Sequence, residues 1–267
     1  GEGENEGDDD AGREIVEADI YKVIGDKLYV LNSYRGLAII DIADPGKISI
    51  VGRLRFSGYP REMYVENGIA VVLLSSVYHE IDGNGVVSSE VVTVDVSDPT
   101  SPALIRRAIL EGEIADTRQV GNVVYVVSSE QYWWNYCEKI QEGYNQVEIL
   151  SLNIEDPANV YVADRASFEG AGWSVYVSQN AIYVGTNTSW WSNEGEGPGF
   201  TYVDISDPDG QIVIRDRVET AGYIQDRFKM NENGNIFTVV SWEWENGMPT
   251  VVETFDVSNP DHIIRLD

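Results

Sequence analysis

Charged pairs that could do chemistry recur along this 267-residue chain: Glu17 and Asp19, Arg61 and Glu62, Asp116 and Arg118, Asp226 and Arg227. Carboxylates and guanidinium groups gathered at one mouth can bind a polar ligand. They can also supply acid–base catalysis, which makes Asp116, Arg118, Asp226 and Arg227 the catalytic set of a carboxylate-based hydrolase or lyase. The same groups can instead pair with one another and fill space without function, because buried charges are normally paired. The two readings separate cleanly: an enzyme needs Asp116, Arg118 and Asp226 within hydrogen-bond reach of one open pocket. Nothing else in the chain offers a reaction. The only histidines, His79 and His262, have no cysteine or serine motif beside them, and no phosphate loop, zinc spacing or nucleophile elbow is present. The balance favours a binding protein over an enzyme.

One stretch has a metal-like spacing: Glu80-Ile-Asp82-Gly-Asn84-Gly85, with Glu90 five residues on. Alternating oxygen ligands around a glycine turn are the pattern of a calcium loop, which makes Ca2+ the one cofactor suggested, with Glu80, Asp82, Asn84 and Glu90 as ligands. Position one is Glu rather than Asp, and the closing Glu comes one residue early. Acidic glycine turns without metal share this composition.

Aromatic residues form a third group. Trp133, Trp134, Trp190, Trp191, Trp242 and Trp244 fall in or beside long irregular segments at 76–89, 130–146, 187–198 and 243–249, together with Tyr78, Tyr132, Tyr136 and Tyr144. Rings concentrated in loops are an interface signature, since they supply contact area at low entropic cost. The alternative is that each pair packs locally and holds its own loop down. With Arg61 and Glu62 beside them, Trp133, Trp134, Tyr136, Trp190, Trp191, Trp242 and Trp244 form the expected binding surface for a protein partner or a polysaccharide.

A repeat positions all of these residues. The phrases Asp41-Ile-Ala-Asp44-Pro45, Asp95-Val-Ser-Asp98-Pro99, Asn153-Ile-Glu-Asp156-Pro157, Asp204-Ile-Ser-Asp207-Pro208 and Asp256-Val-Ser-Asn259-Pro260 return every 51 to 58 residues. That period marks small β units rather than helical repeats. Each unit resolves into four apolar runs separated by turn residues. The second run is continuously apolar in most units, as at 28–31, 69–74 and 123–127, which suits a strand covered on both faces. Before it stand two-residue turns such as Gly25-Asp26, Asn67-Gly68 and Asn233-Gly234, where positive φ is tolerated. The phrase itself sits between the third and fourth runs, where its second Asp caps the turn amide and Pro ends the ladder.

The fold class expected is all-β: a β-propeller of four-stranded antiparallel blades with five repeats, the alternative being part of a larger ring. The units run 14–58, 59–112, 113–170, 171–222 and 223–267, after an acidic flexible tether at 1–13. Blade topology puts the long aromatic segments and the channel-lining charges on one face and the Asp-Pro turns on the other.

Composition narrows the partners. A net charge of −27 with only 18 basic residues excludes nucleic acid, which needs clustered Lys and Arg. It suits an extracellular setting, divalent cations, or simple solubility. No apolar run reaches the ~18 residues of a membrane helix. Cys137 is the single cysteine, so no internal disulfide forms. The hydrophobe-free first ten residues fit an exported protein with a lipid anchor upstream of residue 1.

Against this background, Gly36-Leu-Ala-Ile-Ile-Asp-Ile-Ala-Asp-Pro45 resembles the LVIVD repeat. Segments 58–65, 95–129 (with Ala115-Asp-Thr-Arg-Gln-Val120 at its centre) and 223–230 resemble the secreted or surface proteins with a β-propeller domain, distant relatives of WD40 repeats. Val16-Glu-Ala-Asp-Ile20 is similar to the start of that domain. The resemblance implies a propeller fold and an extracellular or cell-surface location, and no known reaction. The expected function is a non-enzymatic binding or scaffold module that contacts a protein or glycan through its aromatic face. The alternative is the carboxylate-based hydrolase or lyase, with or without calcium.

Overall fold

The computed structural model describes residues 12–81, 84–130, 146–187, 197–243 and 249–267. Five antiparallel sheets follow one another along the chain. The first holds β2 (Tyr21–Ile24), β3 (Lys27–Asn32), β4 (Gly36–Asp41) and β5 (Ser49–Leu54), preceded by a two-residue strand β1 (Ile15–Val16). The second holds β6 (Tyr59–Glu66), β7 (Ile69–Ile81), β8 (Asn84–Asp95) and β9 (Ala103–Leu110). β10 (Glu113–Val120), β11 (Val123–Glu130), β12 (Gln146–Asn153) and β13 (Tyr161–Glu169) form the third. The fourth contains β14 (Ala171–Val177), β15 (Ala181–Asn187), β16 (Gly199–Asp204) and β17 (Val213–Glu219). The fifth contains β18 (Met230–Asn233), β19 (Ile236–Trp242), β20 (Thr250–Asp256) and β21 (Ile264–Arg265). In each sheet the strands lie in chain order, the meander of a propeller blade.

The turns follow from the residues in them. Gly25, Gly121 and Gly234 take φ near +57° to +59° in the first hairpins, and Asn67 takes +49° beside Gly68. In the Asp-Pro phrase both acidic or amide side chains cap an amide two residues on. Asp95 accepts from Ser97 N at 2.9 Å and Asp98 from Thr100 N at 2.9 Å, and the other four copies repeat the pair. These carboxylates are spent on turn amides, so the face that carries them is built of satisfied turns.

Blades pack through the two faces of their second strands. Odd positions of that strand (Tyr29 and Leu31; Ile69, Val71 and Leu73; Val123, Tyr125 and Val127; Ala181 and Tyr183) turn toward the following blade. Even positions (Ala70 and Val72; Val124 and Val126; Ile182 and Val184; Phe237 and Val239) turn toward the preceding one. Four apolar clusters result, one at each of the junctions one–two, two–three, three–four and four–five. The last is aromatic: Tyr183 stacks on Phe237 with centroids 3.7 Å apart, and Phe200 meets Phe237 and Phe255 edge-on at 4.9 and 5.1 Å.

Three features depart from the sequence reading. Segment 76–89 is not an irregular loop: β7 and β8 extend into a hairpin, with Val77↔Ser88 through Ile81↔Asn84 in register. Alternation drives this, since Val77 is buried and Tyr78 exposed, with Ser76 at φ +53° absorbing the offset. The first strand expected at 224–230 is instead a 3-10 turn, Arg227–Lys229, because the Asp226 carboxylate caps Phe228 N at 2.8 Å before the short β18. Finally, residues 13–20 are a structural strap. β1 pairs with β10 as a fifth, innermost strand of the third sheet (Ile15↔Val120, Val16↔Gln119), and Asp19 bridges Met63 of the second. Arg13 donates to the carbonyls of Gln179 and, at 2.5 Å, Ile205 in the fourth sheet.

The aromatic junction gives a direct stability test. Phe237→Ala is expected to cost about 3–5 kcal/mol, read as a lower denaturant midpoint with the native circular-dichroism spectrum retained. A loss under about 1 kcal/mol would show that this junction does not hold the fifth blade.

Candidate functional site

The innermost strands of a propeller line its channel, and here they are re-aimed at one level. Register shifts interrupt β6 between Pro60 and Glu62, β10 between Ile114 and Asp116, and β14 between Gly172 and Ser174. Such bulges turn side chains away from the ladder. They bring Glu62, Asp116, Thr117 and Arg118 together near the mouth.

A hydroxyl chain joins two blades there. Thr117 Oγ1 donates to Glu62 Oε1 at 2.8 Å, which leaves the buried Tyr64 hydroxyl to donate to Thr117 Oγ1 at 2.8 Å. Burial raises the Glu62 carboxyl above the usual range, and the Thr117 hydrogen bond only partly offsets this. Burial also lifts Asp116, to about 6, against the pull of the Arg227 charge. The Tyr64 phenol is raised by the same cause.

The arginines are occupied. Arg118, almost fully buried, donates to the Asp116 carboxylate and to the Thr117 carbonyl, and lies 3.5 Å from Glu17. Arg227 reaches the same Glu17 carboxylate at 3.1 and 3.4 Å. Glu17, carried in by the strap, thus joins the third blade to the fifth. The sequence flagged Glu17 as a mouth charge, but its bridging role depends on the path of residues 13–20, which were read as the end of the tether and the start of the first unit. Asp226 stands apart as the cap of its 3-10 turn, and Arg61 is exposed with no hydrogen bond or ion pair among the described residues. Asp116, Arg118 and Arg227 are therefore brought together around Glu17, whose side chain stays 62% exposed, while Asp226 does not join them. Below the mouth a cavity of about 520 Å3, lined by Glu14, Asp19, Lys22, Glu66 and Gln119 among others, follows the strap.

Of the expected calcium ligands, Glu80 and Glu90 lie apart. Glu80 is exposed and paired with Gly85, far along the hairpin from Glu90, which lies opposite Leu74. Glu90 is buried and engaged by Arg107 at 2.6 Å, with His79 at 3.4 Å. Asn84 is in β8, and Asp82 lies outside the described residues. Among the described residues no group of three or more His, Cys, Asp or Glu is placed to hold a metal ion. The Glu90–Arg107 pair has counterparts that the sequence reading missed. Glu148 binds Arg165 at 2.5 Å and Glu111 N at 2.9 Å; Glu253 binds Arg265 at 2.9 Å and Ala221 N at 2.9 Å. A glutamate on a third strand with an arginine on the fourth is the signal that marks them.

Of the expected aromatic surface, Trp242 is described and exposed at the end of β19, its backbone bridging Tyr223. Trp133, Trp134, Tyr136, Trp190, Trp191 and Trp244 lie outside the described residues. Tyr78 stands exposed on the β7–β8 hairpin. Three more rings on this face were not read from sequence: Tyr34 (91% exposed), Tyr59 (64%) and Phe228 (79%), the last under the Arg227 guanidinium at 5.0 Å.

The raised Asp116 carboxyl makes a signed prediction. A folded-state value above the unfolded one favours the native state fully below about pH 4, and this contribution is lost as pH rises through 6. Asp116→Asn removes the effect, so its stability relative to the parent protein should improve by roughly 2 kcal/mol between pH 4 and pH 7. Urea melts at both pH values measure it, and a pH-independent difference would refute it.

Comparison with known proteins bears on the fold. No curated protein matches this chain in sequence. A family 32 β-fructofuranosidase variant of Bombyx mori in complex with sucrose overlays with TM-score 0.33 and 10% identity, over 94% of this chain and 62% of that one. A family 43 enzyme of Bacillus licheniformis gives 0.29 and 12%, over 95% and 55%. A family 43 enzyme of Xanthomonas citri with xylose gives 0.30 and 9%, over 93% and 90%. The chain thus spans roughly three-fifths of the first two, and overlays this loose carry nothing about activity. The profile described as Beta propeller domain matches residues 13–150 and 135–262, nearly the whole chain. With five meander blades packed face to face around an inner set of strands, the chain belongs to the β-propeller domain family.

Proposed function

We propose that the protein is an extracellular or cell-surface binding module without catalytic activity, which engages a protein partner through its loop-bearing face. The observation that carries this reading is the set of exposed rings there: Tyr34, Tyr59, Tyr78, Phe228 and Trp242. Large aromatics left in water on one rim of a chain this acidic cost solubility unless they are covered in use. The channel charges support the same reading. Asp116, Arg118, Arg227 and Glu17 pair with one another, which engages the charges on which a hydrolase or lyase reading rested. The opposite face, all short capped turns, offers a partner little to grip.

Two variants test the proposal: Trp133, Trp134, Trp190 and Trp191 all changed to Ala, and Tyr59, Phe228 and Trp242 all changed to Ala. Each should keep the parent melting curve and lose at least tenfold in affinity for partners cross-linked at the surface of the native cell, where central aromatics dominate binding. Undiminished affinity in both variants refutes the proposal. Retention on immobilised polysaccharide in place of protein would replace the protein partner by a glycan.

A further inference from the structure

The junction between the second and third blades is apolar within and polar at its outer end. On the face that the third blade turns to the second, Leu150 and Leu152 belong to the apolar cluster, and Glu148 and Gln146 follow on the same side of β12. Arg165, Ser167 and Glu169 of β13 share that side through the pairs Leu150↔Arg165, Glu148↔Ser167 and Gln146↔Glu169. Gln146, Glu148, Arg165 and Ser167, with Ile109 and Glu111 of the second blade, line a groove of about 460 Å3. That is a usual size for a ligand site. None of the exposed rings Tyr34, Tyr59, Tyr78, Phe228 and Trp242 lines it.

The same row differs in the neighbouring blades. In the second, the long β7–β8 hairpin lays His79 against Glu90, which stands where Glu148 does. In the fourth, Gly199 takes that place, and a side chain there would collide with the Val218 carbonyl. Within the groove Glu148 is already engaged, accepting from Arg165 at 2.5 Å and from Glu111 N at 2.9 Å. The carboxylates of Glu111 and Glu169 enter no hydrogen bond or ion pair among the described residues, and both residues are exposed. Directly opposite Glu148, on the same side of the sheet, the fully buried Ser128 hydroxyl has no hydrogen-bond partner.

The lip of the groove is a strand edge. β13 is the outermost strand of its sheet and, at 9 residues, the longest of the five outer strands; the others have 6, 8, 7 and 2. Beyond the irregularity at Ala163 it runs in register from Asp164 to Glu169. That is about 20 Å of edge, with alternate N–H and C=O groups turned outward. A chain paired to it sends every second side chain over the row, at the spacing of Arg165, Ser167 and Glu169 themselves. The uncompensated carboxylates on either side of that path favour cationic side chains.

We propose that the groove between the second and third blades binds an extended basic peptide segment. The segment adds as a strand to β13 and directs alternate Lys or Arg side chains toward Glu111 and Glu169. Main-chain bonds to the edge give such a contact its affinity, and the row beneath selects the side chains.

The probe is a pool of octapeptides with Lys at every second position and Val, Thr or Tyr between. It is passed over the whole chain at about 0.15 M salt, where attraction to the acidic surface at large is screened. Retained peptides should bind saturably by fluorescence polarisation and slow amide exchange within 164–169. Two alternately N-methylated forms of a retained peptide then mask one backbone edge each. One form should bind at least about tenfold more weakly, because its charges remain while its ladder is lost, and the other should bind as before. Glu111→Lys should also cost at least about tenfold, whereas Glu155→Lys, an equal change of charge on the exposed turn face, should cost nothing. Circular dichroism verifies the fold of both variants. Retention of no peptide overturns the proposal, as does binding without protection at 164–169. Equal binding by both methylated forms, or equal loss in the two lysine variants, overturns it as well.

Discussion

A four-stranded blade has two apolar faces and can bury neither by itself. Everything else in this protein follows from that constraint. It forces the continuous apolar second strands, since each such strand must satisfy a neighbour on either side. It forces a near-fixed repeat length, since blades must stack strand over strand. It makes stability a sum over neighbouring junctions, so the aromatic junction between blades four and five is as much a property of Phe237 as of Tyr183.

Polar groups are treated differently at the two rims. On the turn face the first and fourth residues of each repeated phrase accept from a backbone amide two residues on. At the channel the commitment is long-range. Glu17 meets arginines from two blades, and a tyrosine, a threonine and a glutamate from neighbouring inner strands share protons in a line. Both arrangements satisfy the rule that charges out of water be paired. Only the second shifts carboxyl groups toward neutral pH.

What could be read in the sequence was what depends on neighbours along the chain. The Asp-Pro turns, the hairpin glycines and the apolar second strands are local, and they located the blades. The hairpin at 77–88 was obscured by its acidic glycine tip, although the alternation of Val77 and His79 with Tyr78 and Glu80 was there to be counted. Glu17 was out of reach, because its partner Arg227 is 210 residues away. One departure from the repeat is slight: Thr238 stands where the other blades place Tyr29, Val71, Tyr125 and Tyr183. A single threonine at an otherwise apolar or aromatic position is a weak signal until the sheets are in place.

The strap also dictates an order of events. Residues 15 and 16 leave the ribosome well before residues 119 and 120, yet the edge they pair with exists only once the third blade has formed. The strap is therefore made before the edge that receives it and settles late, and closing that long loop before any contact rewards it is slow. Until then the inner edge of β10 and the arginine at 118 stay open. The channel is completed from outside inward, and its final piece is the strap at 13–20.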